Sequence, residues 1–346
     1  MRKRIYIGLI GLLLGSLVQG ELQAQDLHFS QFFNSPLTEN PANTGFLPDA
    51  NYRFGANYRN QWAALGVPYK TFSAYGDAQL LRDRWYYGWL GLGGVLLQDE
   101  AGGGTLKSTK VYLSVAYHQL LGFNSLLSLG FNGGLAMKRI DMSKLTFPDQ
   151  FNDTYGKWFF DSQIPSSAII DQPSISYFDL QAGMNYAYFP TDNIYINLGF
   201  SAHHLNRPKE SFLQDGNNEI GRRYIGFLNA SLKVAPRVIV NPNAYYTYQR
   251  GASETVFGAW MAYNLSGPGG QYQLLGGAYY RWDDAFIPMV GYQLKKWRIM
   301  LSYDVTTSDF SAANNHRGAY EISLTFIGAY SKHMNYNKKN YMCPHF

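Results

Sequence analysis

Residues 194–201 read IYINLGFS, and apolar and polar side chains alternate along this stretch. The even-numbered positions hold Ile194, Ile196, Leu198 and Phe200. The odd-numbered positions, which form the other parity of the strand, hold Tyr195, Asn197, Gly199 and Ser201. Successive side chains of a strand point to opposite faces, so a period of two predicts a β-strand. The stretch therefore predicts a strand that lies between an apolar and a polar environment.

The same alternation recurs along the chain beyond about residue 50. Fourteen such segments begin near residues 51, 69, 86, 107, 125, 175, 194, 222, 238, 254, 272, 285, 297 and 318. Most reach the length of about 9 to 11 residues that a tilted transmembrane strand needs. The segments near 222, 238 and 254 are weaker, because both parities are partly apolar and Pro242 removes a ladder donor. The pattern predicts an all-β fold, a transmembrane antiparallel outer-membrane β-barrel of about 14 strands over residues 51–330.

Charged residues test this prediction, because Arg or Lys on the lipid face at mid-membrane costs about 2 to 4 kcal/mol. Six of them fall on the polar parity and are expected to face the lumen: Asp77, Lys110, Asp179, Arg281, Asp304 and Glu321. The chain is 15% charged and 16% aromatic, with 28 tyrosines, whereas a soluble domain is about 25% charged. The lipid bilayer is therefore an expected partner. Without residues 1–24, 26 Lys and Arg stand against 23 Asp and Glu, and this net charge of +3 is too balanced to indicate nucleic acid.

Connection lengths give an independent test, because barrels of this class have long extracellular loops and short periplasmic turns. The long connections are odd-numbered and lie around 59–68, 98–106, 139–174, 205–221 and 308–317. The even-numbered connections are short, and so is the turn at Asp283 and Asp284. Aromatic residues at strand ends are expected to form the interfacial girdles: Trp85, Tyr86, Tyr87, Trp89, Trp282 and Trp297.

The two ends of the chain differ from the barrel segments. Residues 1–24 combine a basic start, a short apolar run and a cleavage site that ends in a small residue, and this pattern predicts a cleaved signal peptide. Residues 25–50 form a leader rich in Asn, Pro and aromatics, and residues 331–346 form a tail. Both are expected on the periplasmic side, with the leader packed against or inside the barrel mouth. The single cysteine, Cys343, excludes an intrachain disulfide.

No catalytic or metal-binding motif stands out, and no cofactor is expected. Adjacent strand residues point to opposite faces, so His203 and His204 cannot both ligate one ion from regular geometry. Cys343 and His345 lack further ligands nearby in sequence. Ser201 and His203 share one parity, as a serine and a histidine on a barrel wall would in a phospholipase. Such a pair is common by chance in a Ser-rich barrel.

Motifs along the mature chain resemble the PorP/SprF family, outer-membrane proteins of the type IX secretion and gliding machinery of Bacteroidetes. The resemblance begins with Phe29-Ser30-Gln31, Asn40-Pro41-Ala42 with Gly45, and Tyr58-Arg59-Asn60-Gln61-Trp62. It continues with Gly277-Ala278-Tyr279-Tyr280-Arg281, Ser302-Tyr303-Asp304 and Glu321-Ile322-Ser323-Leu324, and it ends at Cys343-Pro344 with Phe346. Tyr320 and His345 depart from the family pattern.

The resemblance implies a non-enzymatic barrel that docks secreted surface proteins or adhesins with a type IX C-terminal sorting domain. It also implies contact with a periplasmic ring lipoprotein and its associated subunits. Aromatic residues of the long loops are the expected cargo contacts: Phe147, Phe151, Tyr155, Trp158, Phe159, Phe160 and Phe212. The expected periplasmic surface includes Phe29, Gln31, Asn40, Pro41, Cys343 and Phe346.

Other interpretations remain open from the sequence alone. The principal alternative is an outer-membrane diffusion porin or solute channel, although the inward positions are mostly Tyr, Asn, Ser and Gly rather than opposed charge clusters. The long loop 139–174 could instead fold inward as a plug. A barrel enzyme is the third possibility.

Overall fold

The computed structural model describes residues 27–330, except 48–49, 64–65, 67, 83–84, 86, 153–158, 162, 167–171, 214–215 and 268–270. In this part of the chain, fourteen antiparallel strands close into one barrel. The first seven are β1 Tyr52–Gln61, β2 Tyr69–Leu80, β3 Gly88–Ala101, β4 Leu106–Leu120, β5 Ser125–Ile140, β6 Ser174–Thr191 and β7 Ile194–His203. The others are β8 Arg223–Ala235, β9 Val238–Gln249, β10 Ala252–Asn264, β11 Tyr272–Arg281, β12 Ala285–Leu294, β13 Trp297–Thr306 and β14 Arg317–Gly328. The predicted barrel is confirmed, including the three weaker segments.

Each strand pairs with its neighbours in sequence, and β1 pairs with β14 to close the barrel. Tyr52 lies opposite Gly328 and Gln61 opposite Ala319. We call the β1–β14 pair the seam, because it joins strands from opposite ends of the barrel sequence. Pro242 is accommodated within β9, opposite Ala259 of β10.

The two faces of the wall have different chemistry, as the alternation predicts. Outward positions carry exposed apolar side chains such as Leu113, Leu129 and Leu198. Inward positions are buried and largely polar, with Asn57, Ser128 and many similar residues. Apolar side chains therefore face the bilayer, and polar side chains face the lumen.

The connections separate into two ends of the barrel. The long-loop end carries residues 62–68, 141–173, 204–222 and 307–316, while the short-turn end carries 81–87, 121–124, 192–193, 236–237, 265–271 and 295–296. The predicted long connection at 98–106 is wrong. The β3 and β4 strands continue into it and leave only residues 102–105, where Gly102, Gly103 and Gly104 all adopt positive φ.

Most of the girdle residues that the structure describes are exposed at strand ends: Trp85, Tyr87, Trp282 and Trp297. Trp89 differs from the prediction, because its side chain is buried inside the barrel. It shares its parity with Gly91 and Gly93, which is the inward parity of β3. Tyr86 lies outside the described residues.

The loops at the long-loop end contain two short elements of secondary structure. Phe151–Asn152 pairs with Phe159–Phe160 in a small ladder of the 141–173 loop, and Ser311–Asn314 forms one helical turn. No helix in the described part of the chain is long and apolar enough to cross a bilayer. The predicted signal peptide 1–24 and the tail 331–346 lie outside the described residues.

Candidate functional site

Residues 27–47, which we call the plug, lie inside the barrel. They form the short helical turns Phe32–Asn34, Pro36–Glu39 and Pro41–Asn43. Pro36 and Pro41 each occupy the first position of a turn, where the missing N–H costs nothing. The Asn40 side chain caps the last turn by accepting a hydrogen bond from Ala42 N at 2.8 Å. Local chemistry thus folds the leader into a compact chain of turns rather than a strand.

The plug runs from the long-loop end to the short-turn end. At its start, Arg223 Nη1 donates to Leu27 O at 2.8 Å, and Arg223 is the first residue of β8 after the 204–222 loop. At its end, Gln79 Nε2 donates to Leu47 O at 2.6 Å, next to the 81–87 turn. The chain then enters β1 at the short-turn end. The plug therefore spans the lumen before the first strand begins.

A buried ionic cluster holds the start of the plug. Arg59 Nη2 lies 2.8 Å from Asp304 Oδ2, and Arg281 Nη1 lies 3.1 Å from the same oxygen. Glu321 accepts hydrogen bonds from Ser30 N at 2.8 Å and Gln31 N at 2.9 Å. The Ser30 hydroxyl donates to Asp304 at 2.8 Å and accepts from Arg281 Nη2 at 2.7 Å. Three of the charges that the sequence assigned to the lumen, Arg281, Asp304 and Glu321, thus converge on plug atoms.

The middle of the plug is held by amides and by backbone oxygens. Asn40 Nδ2 donates to Asn185 Oδ1 at 2.7 Å, and Asn185 Nδ2 donates to Asn43 Oδ1 at 2.6 Å. Ser201 Oγ donates to Glu39 O, and His203 Nε2 lies 3.2 Å from the same oxygen. The candidate catalytic pair Ser201 and His203 is thus turned toward the plug backbone.

At the short-turn end, one aspartate and two aromatic rings hold the last plug residues. Asp77 Oδ2 accepts from Gly45 N at 2.7 Å and also meets Arg53 Nη2 at 2.8 Å. His118 Nε2 lies 2.8 Å from Thr44 O. Trp89 Nε1 donates to Gly45 O at 3.0 Å, and its ring stacks on His118 with centroids 4.9 Å apart. Trp89 is therefore a lumen residue that binds the plug.

Apolar contacts complete the packing on two opposite walls. Phe32 stacks on Tyr245 with ring centroids 5.1 Å apart and meets Tyr279 edge to face at 5.7 Å. Phe29 and Leu37 pack in a second buried cluster with residues of β2, β3 and β4: Tyr75, Val95, Leu97 and Tyr112. The cavity beside Leu27 and Phe29 has a volume of about 20 Å³, roughly the space of one water molecule. The plug therefore packs against both walls in this part of the lumen.

Inward-facing glycines form a seat for residues 40–45. A Cβ atom added at Gly91 would overlap Thr44 O, and one at Gly130 would overlap the backbone of Pro41 and Ala42. A Cβ at Gly183 would overlap the Asn40 side chain. These glycines lie on β3, β5 and β6, so the wall is thinned on several strands where the plug backbone approaches it.

Gly130→Ala is expected to destabilise the plugged barrel by about 1 to 3 kcal/mol, because backbone atoms of the plug would have to move. Gly276→Ala is the matched control, since a Cβ at Gly276 meets nothing within 4 Å. Denaturant unfolding of the purified protein, followed by gel mobility of the folded barrel, measures the difference. Equal midpoints for the two variants would contradict the close approach.

The predicted loop residues lie at the long-loop end. Phe151, Phe159 and Phe160 are exposed, and the Phe151 and Phe160 rings meet edge to face at 5.3 Å. Phe147 and Phe212 are half-buried. The hydroxyl of Ser143 donates to the exposed Asp141 at 2.7 Å and lowers the pKa of that carboxyl. Tyr155 and Trp158 lie outside the described residues.

The other predicted surface residues are distributed differently from the expectation. Phe29 and Gln31 are buried in the half of the lumen nearer the long-loop end. Gln31 N donates to Glu321, and Phe29 packs in the apolar cluster with Leu37. Asn40 and Pro41 are buried in the middle of the barrel. These four side chains therefore do not form an exposed periplasmic surface. Cys343 and Phe346 lie outside the described residues.

The remaining polar candidates are engaged by the barrel itself. His204 Nδ1 lies 2.9 Å from Asp179 Oδ1, and Tyr112 donates to Asp179 Oδ2 at 2.7 Å. Lys110 is buried and faces the interior. Among the described residues, no group of three or more His, Cys, Asp or Glu side chains could hold a metal ion.

A closed fourteen-stranded barrel with an apolar exterior, a polar interior and long loops at one end is an outer-membrane β-barrel protein. The profile of the type IX secretion system membrane protein PorP/SprF family matches residues 21–326. The chain belongs to this family. The predicted family membership and outer-membrane location are confirmed.

Solved structures with the same fold are distant in sequence. A deltaS2S3 mutant of the TodX monoaromatic hydrocarbon channel is 11% identical, with 86% of this chain and 94% of that chain covered and a TM-score of 0.52. The P. putida toluene transporter TodX is 11% identical over 86% and 95%, with a TM-score of 0.49. A Pseudomonas aeruginosa FadL homologue is 9% identical over 89% and 95%, with a TM-score of 0.49. No curated protein matches the sequence. The likeness shows the barrel fold alone.

Proposed function

We propose that this protein is a non-enzymatic docking component of the type IX secretion and gliding machinery. It holds a secreted surface protein or adhesin, through that partner's C-terminal sorting domain, at the long-loop end. Its short-turn end contacts the periplasmic ring lipoprotein and its associated subunits. The observation that carries the proposal is a lumen filled by its own leader beneath an exposed aromatic loop surface.

The filled lumen argues against the alternative, an outer-membrane diffusion porin or solute channel. Passage of a solute needs a continuous path through the barrel. Plug residues from Ser30 to Thr44 are mostly buried between opposite walls. Binding at the loops needs no such path.

The two longest loops are joined into one surface. Gln172 N donates to Phe212 O at 3.1 Å across the loops. Lys138 Nζ lies 2.5 Å from Glu210 Oε1, and Tyr177 donates to Glu210 Oε2 at 2.9 Å, so strand ends brace the second loop. Phe151, Phe159, Phe160 and Leu213 are exposed on this surface. Exposed aromatic clusters on a braced support are typical of protein interfaces.

The periplasmic contact is assigned to the short turns. Residues Phe29, Gln31, Asn40 and Pro41 are buried, so a periplasmic partner cannot reach them in the plugged barrel. Leu121 and Phe123 are exposed at the short-turn end, and Phe123 is 77% exposed. The turn 121–124 is therefore the first place to test for ring contact.

Replacing Phe151, Phe159 and Phe160 by serine is expected to reduce recovery of the surface partner about tenfold or more, because central aromatic contacts carry much of an interface's binding free energy. The readout is mass spectrometry of proteins that co-purify with the tagged barrel from native outer membranes. Phe123→Ser is the matched control, since it changes an exposed phenylalanine at the opposite end. It should leave the surface partner bound.

Three results would count against docking. Undiminished recovery of the surface partner by the triple variant would remove the loop surface from the proposal. Loss in the Phe123→Ser variant alone would place the partner at the short turns. Recovery of the barrel alone, together with ion conductance in a planar bilayer, would favour the channel.

A further inference from the structure

The seam differs from every other strand pair in the described barrel. Apart from β1 and β14, neighbouring strands follow one another in sequence and are joined by a turn or loop. Tyr52 of β1 and Gly328 of β14 face each other from opposite ends of the barrel sequence. Pairing two strands costs more conformational entropy when a long stretch of chain separates them than when a hairpin turn joins them. The β1–β14 pair is therefore the strand pair whose formation is least helped by a short connection.

Three plug residues bind directly at the seam. Asn34 Nδ2 donates to Ser323 Oγ of β14 at 2.8 Å, while Asn57 of β1 donates to Asn34 O at 3.3 Å. Asn57 and Ser323 are paired residues across the seam. Asn34 therefore connects the two strands at one level of the barrel.

Ser30 repeats this arrangement nearer the long-loop end, while Gln31 contacts β13 and β14. Ser30 N donates to Glu321 of β14, and the Ser30 hydroxyl accepts from Arg59 of β1. Arg59 and Glu321 are also paired residues across the seam. Gln31 Nε2 donates to Ser302 Oγ of β13 at 3.0 Å and to the backbone oxygen of Glu321 at 3.2 Å, and its Oε1 accepts from Ser323 Oγ at 2.6 Å.

The rest of the plug is held by a different part of the wall. Asn40 donates to Met184 O at 3.1 Å and Asn185 Oδ1 at 2.7 Å on β6, and to Phe200 O at 3.2 Å on β7. Thr44 and Gly45 bind residues of β2, β3 and β4. The plug is thus attached at the seam by residues 30–34 and along β2 to β7 by residues 40–45, with one contact of Asn43 O to Arg53 of β1 at 3.3 Å.

We propose that residues 30–34 are a latch that keeps the seam closed. The leader supplies hydrogen-bonding groups that β1 and β14 share, so separating these strands requires breaking plug contacts as well as the ladder. The latch is a property of the barrel itself, so it stands or falls independently of cargo docking. It gives residues 30–34 a role beyond filling the lumen, because they place polar contacts on the strand pair that no turn or loop connects.

The test is hydrogen–deuterium exchange of the full chain in lipid nanodiscs, comparing Gln31→Ala with Asn40→Ala. Both side chains are fully buried amides of the plug that make three or more hydrogen bonds. Gln31→Ala is expected to raise exchange in peptides covering 52–61 and 317–328 about tenfold, with far smaller changes in 125–140 and 174–191. Asn40→Ala is expected to leave the seam peptides protected.

The same measurement can overturn the latch. Unchanged exchange of the seam in Gln31→Ala, or equal acceleration of the seam in both variants, would show that residues 30–34 do not act on the seam in particular. If Gln31→Ala does not fold, Ser323→Ala removes the β14 side of the same contact and is measured in its place. A disulfide between A56C and L324C, which are paired across the seam, should restore protection to either variant in a Cys343→Ser background.

Discussion

A chain that lacks residues 27–47 is expected to conduct ions across a planar bilayer, whereas the full chain is not. Much of the lumen wall is polar, with Asn57, Ser128, Asn185 and Glu321 facing inward, so water can replace the plug along this part of the wall. Barrels of about eight strands are filled by their own side chains, and those of 16 to 18 strands leave an aqueous channel. With the plug removed, this barrel approaches the second case. The expected conductance of the deleted chain is about tenfold or more above the background current measured with the full chain.

A peptide with the sequence of the plug provides the control for this experiment. A synthetic peptide of residues 25–49 added to the deleted barrel should reduce its conductance, because the glycine seat and the ionic cluster remain in place. A deleted barrel that keeps the gel mobility of a folded barrel but conducts no more than the full chain would contradict the assignment. If the deletion prevents folding, Gly130→Val in the full chain would displace the plug while keeping its sequence, and raised conductance is again expected.

Asp304→Ala is expected to destabilise the barrel by about 3 to 5 kcal/mol, since removing one partner from a buried ionic cluster leaves uncompensated charges. The Asp304 carboxylate lies 2.8 Å from Arg59 and 3.1 Å from Arg281, and it accepts a hydrogen bond from Ser30. The free energy of unfolding from denaturant titration measures the loss. Asp304→Asn should have an intermediate effect, because it keeps the shape and a hydrogen-bond acceptor.

An exposed carboxylate provides the comparison for Asp304. Asp149 lies in the 141–173 loop and accepts a hydrogen bond from Ser166 at 2.9 Å. Asp149→Ala should change stability by no more than about 0.5 kcal/mol, as is usual for surface substitutions. A similar small effect for Asp304→Ala would mean that water reaches the cluster and screens Arg59 and Arg281.

The sealed lumen and the proposed docking role are compatible for a physical reason. A barrel that holds a partner at its loops must also preserve the permeability barrier of the membrane. Here the leader lies buried in the lumen, and the loops present Phe151, Phe159 and Phe160 at the surface. Residues 27–47 occupy the lumen, whereas the alternative of an inward-folded loop 139–174 concerns a segment that lies partly outside the described residues.

Two features of the sequence indicated that the leader and Trp89 would be buried in the lumen. Trp89 shares its parity with Gly91 and Gly93, which marks it as inward-facing, although its place at a strand end suggested a girdle. The leader carries the uncharged amides Gln31, Asn34, Asn40 and Asn43 among apolar residues. A solvated tail would be richer in charge, so this composition is typical of a segment buried among polar groups.

The sequence by itself determined the strands, their faces and the end at which the long loops lie. Strand alternation is local, because each side chain is assigned to a face by its immediate neighbours, and the cost of a charge in lipid enforces that assignment. The place of the leader was decided only by the tertiary structure. Ser30 meets Glu321 across a separation of 291 residues. Such a contact depends on closure of the whole barrel, and an irregular segment has no period from which it could be inferred.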